Sequence, residues 1–387
     1  MQPMTASPSA TSAVPALRTS SADLETQLRM IHGLITARFS QVDRVAVVLY
    51  DAVSGMLKTF VSSTVGDDTL QNYEVPLSRV PSLQALAESR RSRVVGEIAE
   101  AFGAPTEHTR WLKHQHYRAS VTSPVFQGDA LAGFLFYDSK TPYAFTEEHA
   151  DLLHDFSELI SHLFLMQRRL VHGVVSTIQV AVDMARTRDF ETGQHLERIA
   201  YYSRIMARAL APVYGLSDEY VEYVQLFAPL HDIGKVGIPD HILLKPGRLD
   251  AAEYEVMKRH VPLGLDIIQR ISTDLGLKGS FQEQVMCNIV STHHERGDGS
   301  GYPRGLTMEQ IPLEGRIVAV ADVYDALSNR RAYKSSWDDA HVCAELRAEV
   351  IAGQLDGDCV EALLEAKEAR MAIKLRFADV REPGDYA

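Results

Sequence analysis

The chain reads as two domains joined by a long helix. The first is α+β, an antiparallel sheet with helices against it, and the second is all-α. Three observations predict this. Residues 22–167 alternate between strand-like and helix-like stretches separated by turn residues. Leu152, Phe156, Leu159, Leu163, Met166 and Leu170 follow 4-3-4-3-4 spacing across the junction, the 3.5-residue period of a helix-pairing seam. Beyond residue 172 the pattern is helical throughout, and histidines and acids gather there.

Composition sets the outer bounds. A chain of 387 residues suits two domains. An apolar content of 45% with 23% charged residues is that of an ordinary soluble globular protein. A formal net charge of −12 argues against a broad DNA-binding or anionic-membrane surface. Any anionic ligand must therefore be held by a few local cations or bound metal ions. Cys287, Cys343 and Cys359 are scattered and lack CxxC spacing, so neither a disulfide framework nor a zinc-thiolate site is expected, and a reducing cytoplasm fits. Residues 1–21, rich in Ser, Thr, Ala and Pro, read as a disordered tail rather than a signal peptide. No apolar run reaches the roughly 18 residues of a membrane span.

The elements of the first domain, residues 22–167, follow in order. An amphipathic helix, LETQLRMIHGLITARF, leads to the strand RVAVVLYD, a Ser-Gly turn and a second strand, MLKTFVSST. SLQALAESR is a short helix, and RASVTSPVFQGDALAGFLFYDS a hairpin with Gly128-Asp129 at its turn. Thr146, followed by Glu147 and Glu148, starts a helix. That helix is expected to run on as a connector over 146–186. Its seam is apolar enough to pair with a second copy of the chain, so a homodimer is expected. His172-Gly173 interrupts the phase, and Val174 and Ile178 resume it.

The second domain, residues 172–387, carries the chemistry. ETGQHLERIA places Glu191 and His195 four residues apart on one helix face. LFAPLHDIGK ends an apolar helix on His231 and Asp232, with Lys235 one turn on. His260 follows in EYEVMKRHVPLG, a helix opened by Asp250 with Glu253 three residues later, as in a capping box. STHHERGDGSGYPRGL supplies adjacent His293 and His294, and RIVAVADVYDALSNRRAYK sets Asp322 inside an otherwise apolar helix. A carboxylate so placed costs several kcal/mol unless a cation compensates.

Each feature alone has a plain structural explanation, but the eight residues together do not. Imidazole and carboxylate ligands suit borderline-hard divalent ions such as iron and manganese, with zinc, cobalt or nickel also compatible. Eight ligands exceed the needs of one ion, so two or three are implied, with Asp232 a candidate bridge. Such clusters hold a water of lowered pKa and stabilise the oxygens of an in-line phosphoryl displacement. Hydrolysis of a phosphate ester is the natural chemistry.

The motifs carry a family resemblance. HDIGK, HHERGDGSGYP and ADVYDALSNRRAYK closely resemble the HD-GYP branch of the HD phosphohydrolases, through nearly all of residues 172–387. PVFQGDALAGFLFYDS followed by AFTEEHADLLHDF resembles a GAF domain over about 145 residues. The first resemblance implies hydrolysis of cyclic di-GMP to pGpG, or onward to GMP. Carried over by position, it implies metal ligation by His231, Asp232, His260, His293, His294 and Asp322. Glu191 and His195 match the variant that holds a third metal. Lys235 matches the lysine beside the attacking water. Arg331 and Lys334 match cations on the ligand's phosphates, and Tyr302 of the Gly301-Tyr302-Pro303 signature is expected on the substrate side. The GAF resemblance implies a small-molecule site, a dimerisation module, or both.

Three positions depart from the family pattern: Gly297 before Asp298, Ala332 where RPYK is usual, and Val261 after His260. The first is expected to loosen the signature loop. Two alternatives stay open at this point. One is a cyclic-dinucleotide receptor that signals through protein contacts without turnover. The other is a phosphodiesterase whose substrate is cyclic GMP-AMP.

Overall fold

The structure, a computed structural model, describes residues 24–66, 70–71, 73–101, 107–186, 193–329 and 337–378. The expected tail, Glu191, Ala332, Arg331 and Lys334 lie outside the described residues.

In chain order the N-terminal elements are α1 (Leu24–Arg38), β1 (Arg44–Asp51), β2 (Met56–Thr64), β3 (Glu74–Pro76), α2 (Pro81–Ser89) and β4 (Arg93–Val95). Then come α3 (Ile98–Ala101), α4 (Glu107–His114), β5 (Ala119–Gln127), β6 (Ala130–Ser139) and the 40-residue α5 (Glu147–Arg186). The six strands form one sheet, ordered β3-β2-β1-β6-β5-β4, and every neighbouring pair is antiparallel. Alternation sorts the side chains. Val45, Val47, Val121, Leu135 and Tyr137 face a core closed by α1 and α5, and Ala46, Leu57, Phe134 and Phe136 pack under α2 on the other face. The expected β5–β6 turn is present, with Gly128 at φ 61°. The sequence pattern did not show β3 and β4, which are three residues each.

The C-terminal elements are α6 (Gly193–Tyr214), α7 (Asp218–Phe227), α8 (Asp240–Leu243), α9 (Ala251–Lys258), α10 (His260–Asp274) and α11 (Phe281–Thr292). They continue with α12 (Leu313–Ser328), α13 (Asp339–Ile351), α14 (Gly357–Glu365) and α15 (Lys367–Arg376). Their core gathers Tyr202, Met206, Val224, Phe227, Ile289, Val320 and Leu363, all fully buried. The capping box at Asp250 and Glu253 is formed, but the helix it opens stops at Lys258, and His260 begins a new one.

Helix α5 belongs to both cores. Leu153, Ile160 and Phe164 enter the first, and Val171 and Val174 the second. Its inward face lies beside the expected seam, not on it. Phe156 and Leu163 pack partly on the first core and Leu170 on the second, while Leu152, Leu159 and Met166 are exposed. Among the described residues, no helix is long and apolar enough to cross a membrane.

The domains meet through charges as well as through α5. Lys58 of β2, only 5% exposed, lies 3.0 Å from Asp51 and 3.6 Å from Glu222 of α7. Arg204 of α6 pairs with Glu74 of β3 and, at 2.7 Å, with Glu222. Arg208 reaches Glu74 at 2.9 Å. Gln167 of α5 donates to Glu219 and to the Tyr223 hydroxyl, and Arg376 donates to the Val53 carbonyl at 3.2 Å.

Candidate metal centre

His231 and Asp232 do not end a helix. They sit between two short 3-10 turns, Ala228–Leu230 and Ile233–Gly237, the first holding Pro229 and the second opening on Ile233-Gly234. The second turn is pressed against the start of α10. A Cβ on Gly234 would lie 1.8 Å from the His260 carbonyl oxygen, and one on Gly264 would lie 3.2 Å from the Gly234 nitrogen. Only glycine permits this backbone approach, and it brings the first residue of α10 up to Asp232.

The imidazoles are oriented by the same device. His231 donates Nδ1–H to the Ala228 carbonyl (2.8 Å) and His260 to that of Met257 (2.8 Å). His293, which caps α11, donates Nδ1–H to Ile289 and Val290 carbonyls at 3.2 and 3.1 Å. A carbonyl only accepts, so each Nδ1 carries the proton and each Nε2 keeps a lone pair. All three Nε2 atoms face Asp232, that of His231 at 3.2 Å from Oδ2, and those of His260 and His293 at 3.2 and 3.6 Å from Oδ1. The His260 and His293 Nε2 atoms are 3.4 Å apart. Lone pairs and a carboxylate converging without an intervening donor are a cation's ligand set, not a hydrogen-bond network.

Two groups emerge, each with ligand atoms within 4.8 Å of one another: Asp232, His260, His293 and His294, and then His195, His231 and Asp322. Asp232 adjoins both. Its Oδ1 faces the first group, and its Oδ2 lies beside His231 and 2.9 Å from the Lys235 ammonium. Buried Asp232 Oδ1 and His195 Nε2 have no hydrogen-bond partner. Burial alone would raise the Asp232 carboxyl, but the Lys235 ammonium beside it works the other way, and the carboxyl is held well below the usual carboxylate range. Burial keeps His293 neutral against the pull of Asp232, and burial followed by the neighbouring His293 does the same for His294. Neutral imidazoles beside an ionised carboxylate are the protonation states that a divalent ion requires. The described residues therefore fit divalent metal, with nitrogen and oxygen donors alone.

The structure brings together His195, His231, Asp232, His260, His293, His294 and Asp322, with Lys235 at the edge. Asp322 is not buried as expected. Its side chain is 21% exposed, and the fully buried carboxylate of α12 is Asp325, three residues on. The sequence reading missed Asp325 and also Arg198, its ion-pair partner on α6.

A cleft of about 530 Å³ opens beside the cluster, lined among others by Lys235, Tyr254, His260, His294, Arg296 and Tyr302. Tyr302 stacks on His294 with ring centroids 4.7 Å apart, and the Lys258 ammonium lies over both Tyr254 and Tyr302. Two bonds fix the Tyr302 loop to buried Glu295, from the backbone N–H groups of Arg304 (2.9 Å) and Leu306 (3.0 Å). Gly297 does not loosen it. Its N–H donates to Gln354, its carbonyl accepts from Met308, and a Cβ there would lie 2.2 Å from the Met308 methyl. The close packing explains the glycine.

Residues 179–358 match the HD domain model and residues 23–163 the GAF domain model. A 3'3'-cGAMP-specific phosphodiesterase 2 of Vibrio cholerae is 38% identical over 60% of this chain and 40% of its own. A cyclic di-GMP phosphodiesterase of Thermotoga maritima is 38% identical over 60% of this chain and 55% of its own. The cyclic di-GMP phosphodiesterase response regulator RpfG of Xanthomonas campestris pv. campestris is 46% identical over 46% of this chain and 44% of its own. The chain thus spans about half the length of the curated relatives it matches. Its regions are thus similar to a GAF domain over residues 23–163, followed by an HD domain over residues 179–358.

Proposed function

We propose that this chain is a metal-dependent phosphodiesterase that hydrolyses cyclic di-GMP to pGpG, or onward to GMP, under control of its GAF domain. The observation that carries the reading is the convergence of three Nε2 lone pairs on Asp232, each fixed by an Nδ1–H bond to a backbone carbonyl. His195, His231, Asp232, His260, His293, His294 and Asp322 would hold two ions, and Glu191 is the candidate ligand of a third. An all-N/O donor set favours iron or manganese. When bound, the ions supply a water of lowered pKa and positive charge for the phosphoryl oxygens.

The chain's own groups do the rest. Lys235 directs its ammonium to the scissile phosphate, and Tyr302 offers a ring face for a base at the mouth of the cleft. Arg331 and Lys334 grip the non-reacting phosphate, the arginine through its planar fork. Water adds to phosphorus and gives up a proton, the P–O3′ bond breaks, and the leaving O3′ takes up one proton, so that the water's oxygen stays on the phosphate and its proton on the released hydroxyl.

Relatives named for both cyclic di-GMP and 3'3'-cGAMP make the two substrates a necessary comparison. Exposed Leu152, Leu159 and Met166, with Met30 and Leu34 on α1, support a homodimer along the connecting helix. Free cysteines agree with a cytoplasmic place. A small-molecule ligand of the GAF domain and signalling protein partners complete the reading.

Anaerobic purification with elemental analysis, then product detection from each dinucleotide, tests it. Asp232→Ala should lose both metal and hydrolysis while the GAF domain stays folded. A metal-replete Asp232→Ala protein with full activity refutes the assignment. A parent that binds metal and cyclic di-GMP without turnover is a receptor instead.

A further inference from the structure

Behind His195 lies a second carboxylate that faces away from the cluster. Asp325 is 2% exposed and receives four donors. The His195 Nδ1–H reaches Oδ2 at 2.7 Å, and the Arg198 fork donates from Nε to Oδ1 (2.6 Å) and from Nη2 to Oδ2 (3.0 Å). The Asn329 amide adds a bond to Oδ1 at 2.8 Å. A carboxylate has about four acceptor positions, so none remains for a metal. Asp322, one turn earlier on α12, instead lies 4.0 Å from the opposite ring nitrogen, His195 Nε2.

The division of labour follows from atoms. His231, His260 and His293 are held by carbonyls of their own segments, within four residues. His195 takes its support from a helix 130 residues away in sequence. We propose that Asp325, clamped by Arg198, is the positioning carboxylate that fixes the tautomer and ring direction of His195 as a metal ligand. The clamp has a further anchor. Arg198 Nη1 donates to the carbonyl of Phe377 at 2.8 Å, just past α15 and outside the stretch matched by the HD model. Tyr201, on the next turn of α6, stacks on the Phe377 ring at 5.2 Å. The C-terminal helix thus braces an outer wall of the metal centre.

The inference rests on the metal-centre reading above, and one experiment separates the two. Asp325→Asn keeps the shape but has one acceptor oxygen. Keeping the amide oxygen at the Oδ1 position, where Arg198 Nε and Asn329 both donate, turns the NH2 toward His195 Nδ1, which forces the ring proton onto Nε2 and removes the ligand lone pair. Full-length metal-free protein is titrated with Mn²⁺ by calorimetry, with bound metal counted by elemental analysis.

In Asp325→Asn one class of site should weaken by about 10- to 100-fold, the usual effect of losing an outer carboxylate. The remaining class should keep the parent affinity. In the His195→Ala background, Asp325→Asn should add no further loss at that class, because the interaction it supports is already gone. A parent-like titration of Asp325→Asn overturns the proposal, as does equal weakening of every class. A parent that binds no Mn²⁺, Fe²⁺ or Zn²⁺ removes the metal-centre reading and this inference with it. Should Asp325→Asn fail to fold, Arg198→Lys, which keeps the cation and loses the fork, is read in the same way. Several-fold weakening of one class supports the proposal, and a parent-like titration overturns it.

Discussion

Gly234→Ala puts the smallest side chain at the tightest point of the candidate centre. The added Cβ would sit 1.8 Å from the His260 carbonyl oxygen and 2.5 Å from the Gly264 nitrogen, both backbone atoms that cannot rotate away. Raising 1.8 Å to the 3.4 Å of ordinary van der Waals contact takes a displacement of about 1.6 Å. The push falls on His260 itself, whose Nε2 now lies 3.2 Å from Asp232 Oδ1. Overpacking of this kind costs about 1–3 kcal/mol, which lowers the melting temperature of a domain this size by roughly 2–12 °C. Function should suffer more than stability. A ligand displaced by more than 1 Å costs about 100-fold in rate where geometry is critical. Calorimetric melting, Mn²⁺ titration and cyclic di-GMP hydrolysis of the variant measure the three quantities. A Gly234→Ala protein with parent metal affinity and parent turnover would show that the turn-to-helix contact does not set the His260 position.

Three further outcomes can be measured. Glu191→Ala should lower the metal count by about one ion per chain without emptying the centre; unchanged stoichiometry makes Glu191 a bystander. Leu159→Glu/Met166→Glu should weaken self-association by at least about 10-fold, since carboxylates would enter a desolvated seam. Parent and variant sedimenting alike would exclude this face; Leu163 is the wrong target because it packs on the N-terminal core. Asp51 gives a pH test. Burial raises its carboxyl, but Lys58, Ser54 and the Val53 N–H outweigh that and hold it at about 2, against an ordinary 3.8. A folded-state pKa below the unfolded one gives stability that is present above about pH 4 and lost as pH falls toward about 2. Asp51→Asn should therefore cost about 2 kcal/mol in urea unfolding at pH 7 and far less near pH 2; an equal penalty at both refutes the linkage.

The sequence carried those features that are local. The apolar, β-branched runs RVAVVLYD and MLKTFVSST are β1 and β2, and the histidines and carboxylates of the cluster stand in short motifs. What it hid depends on distant partners. β3 and β4 are too short to show a period, and they exist because β2 and β5 offer them edges. Asp325 and Arg198 look like ordinary polar residues of two helices until the fold sets them back to back, 127 residues apart. On α5, the expected seam and the buried face are one residue out of register, so apolar spacing alone could not say which stripe faces inward. The break at Arg259 was masked because EYEVMKRHVPLG keeps helical composition through it.

The charges shared across the domain boundary bear on how such a chain is built from parts. A fragment cut near residue 172 would separate Lys58 from Glu222 and Arg204 from Glu74. Arg204, 12% exposed, would lose one carboxylate, and Lys58 would keep only Asp51. Leaving one member of a buried pair uncompensated costs more than the pair contributes when intact. The same holds for a chimera that grafts a foreign sensory module onto this helical domain. Spliced at α5 with the helix in frame, it would still present the wrong charges to α6 and α7. Glu74 and Lys58 must therefore match Arg204 and Glu222, and interchange of modules is restricted to donors that carry the equivalents of Lys58 and Glu74.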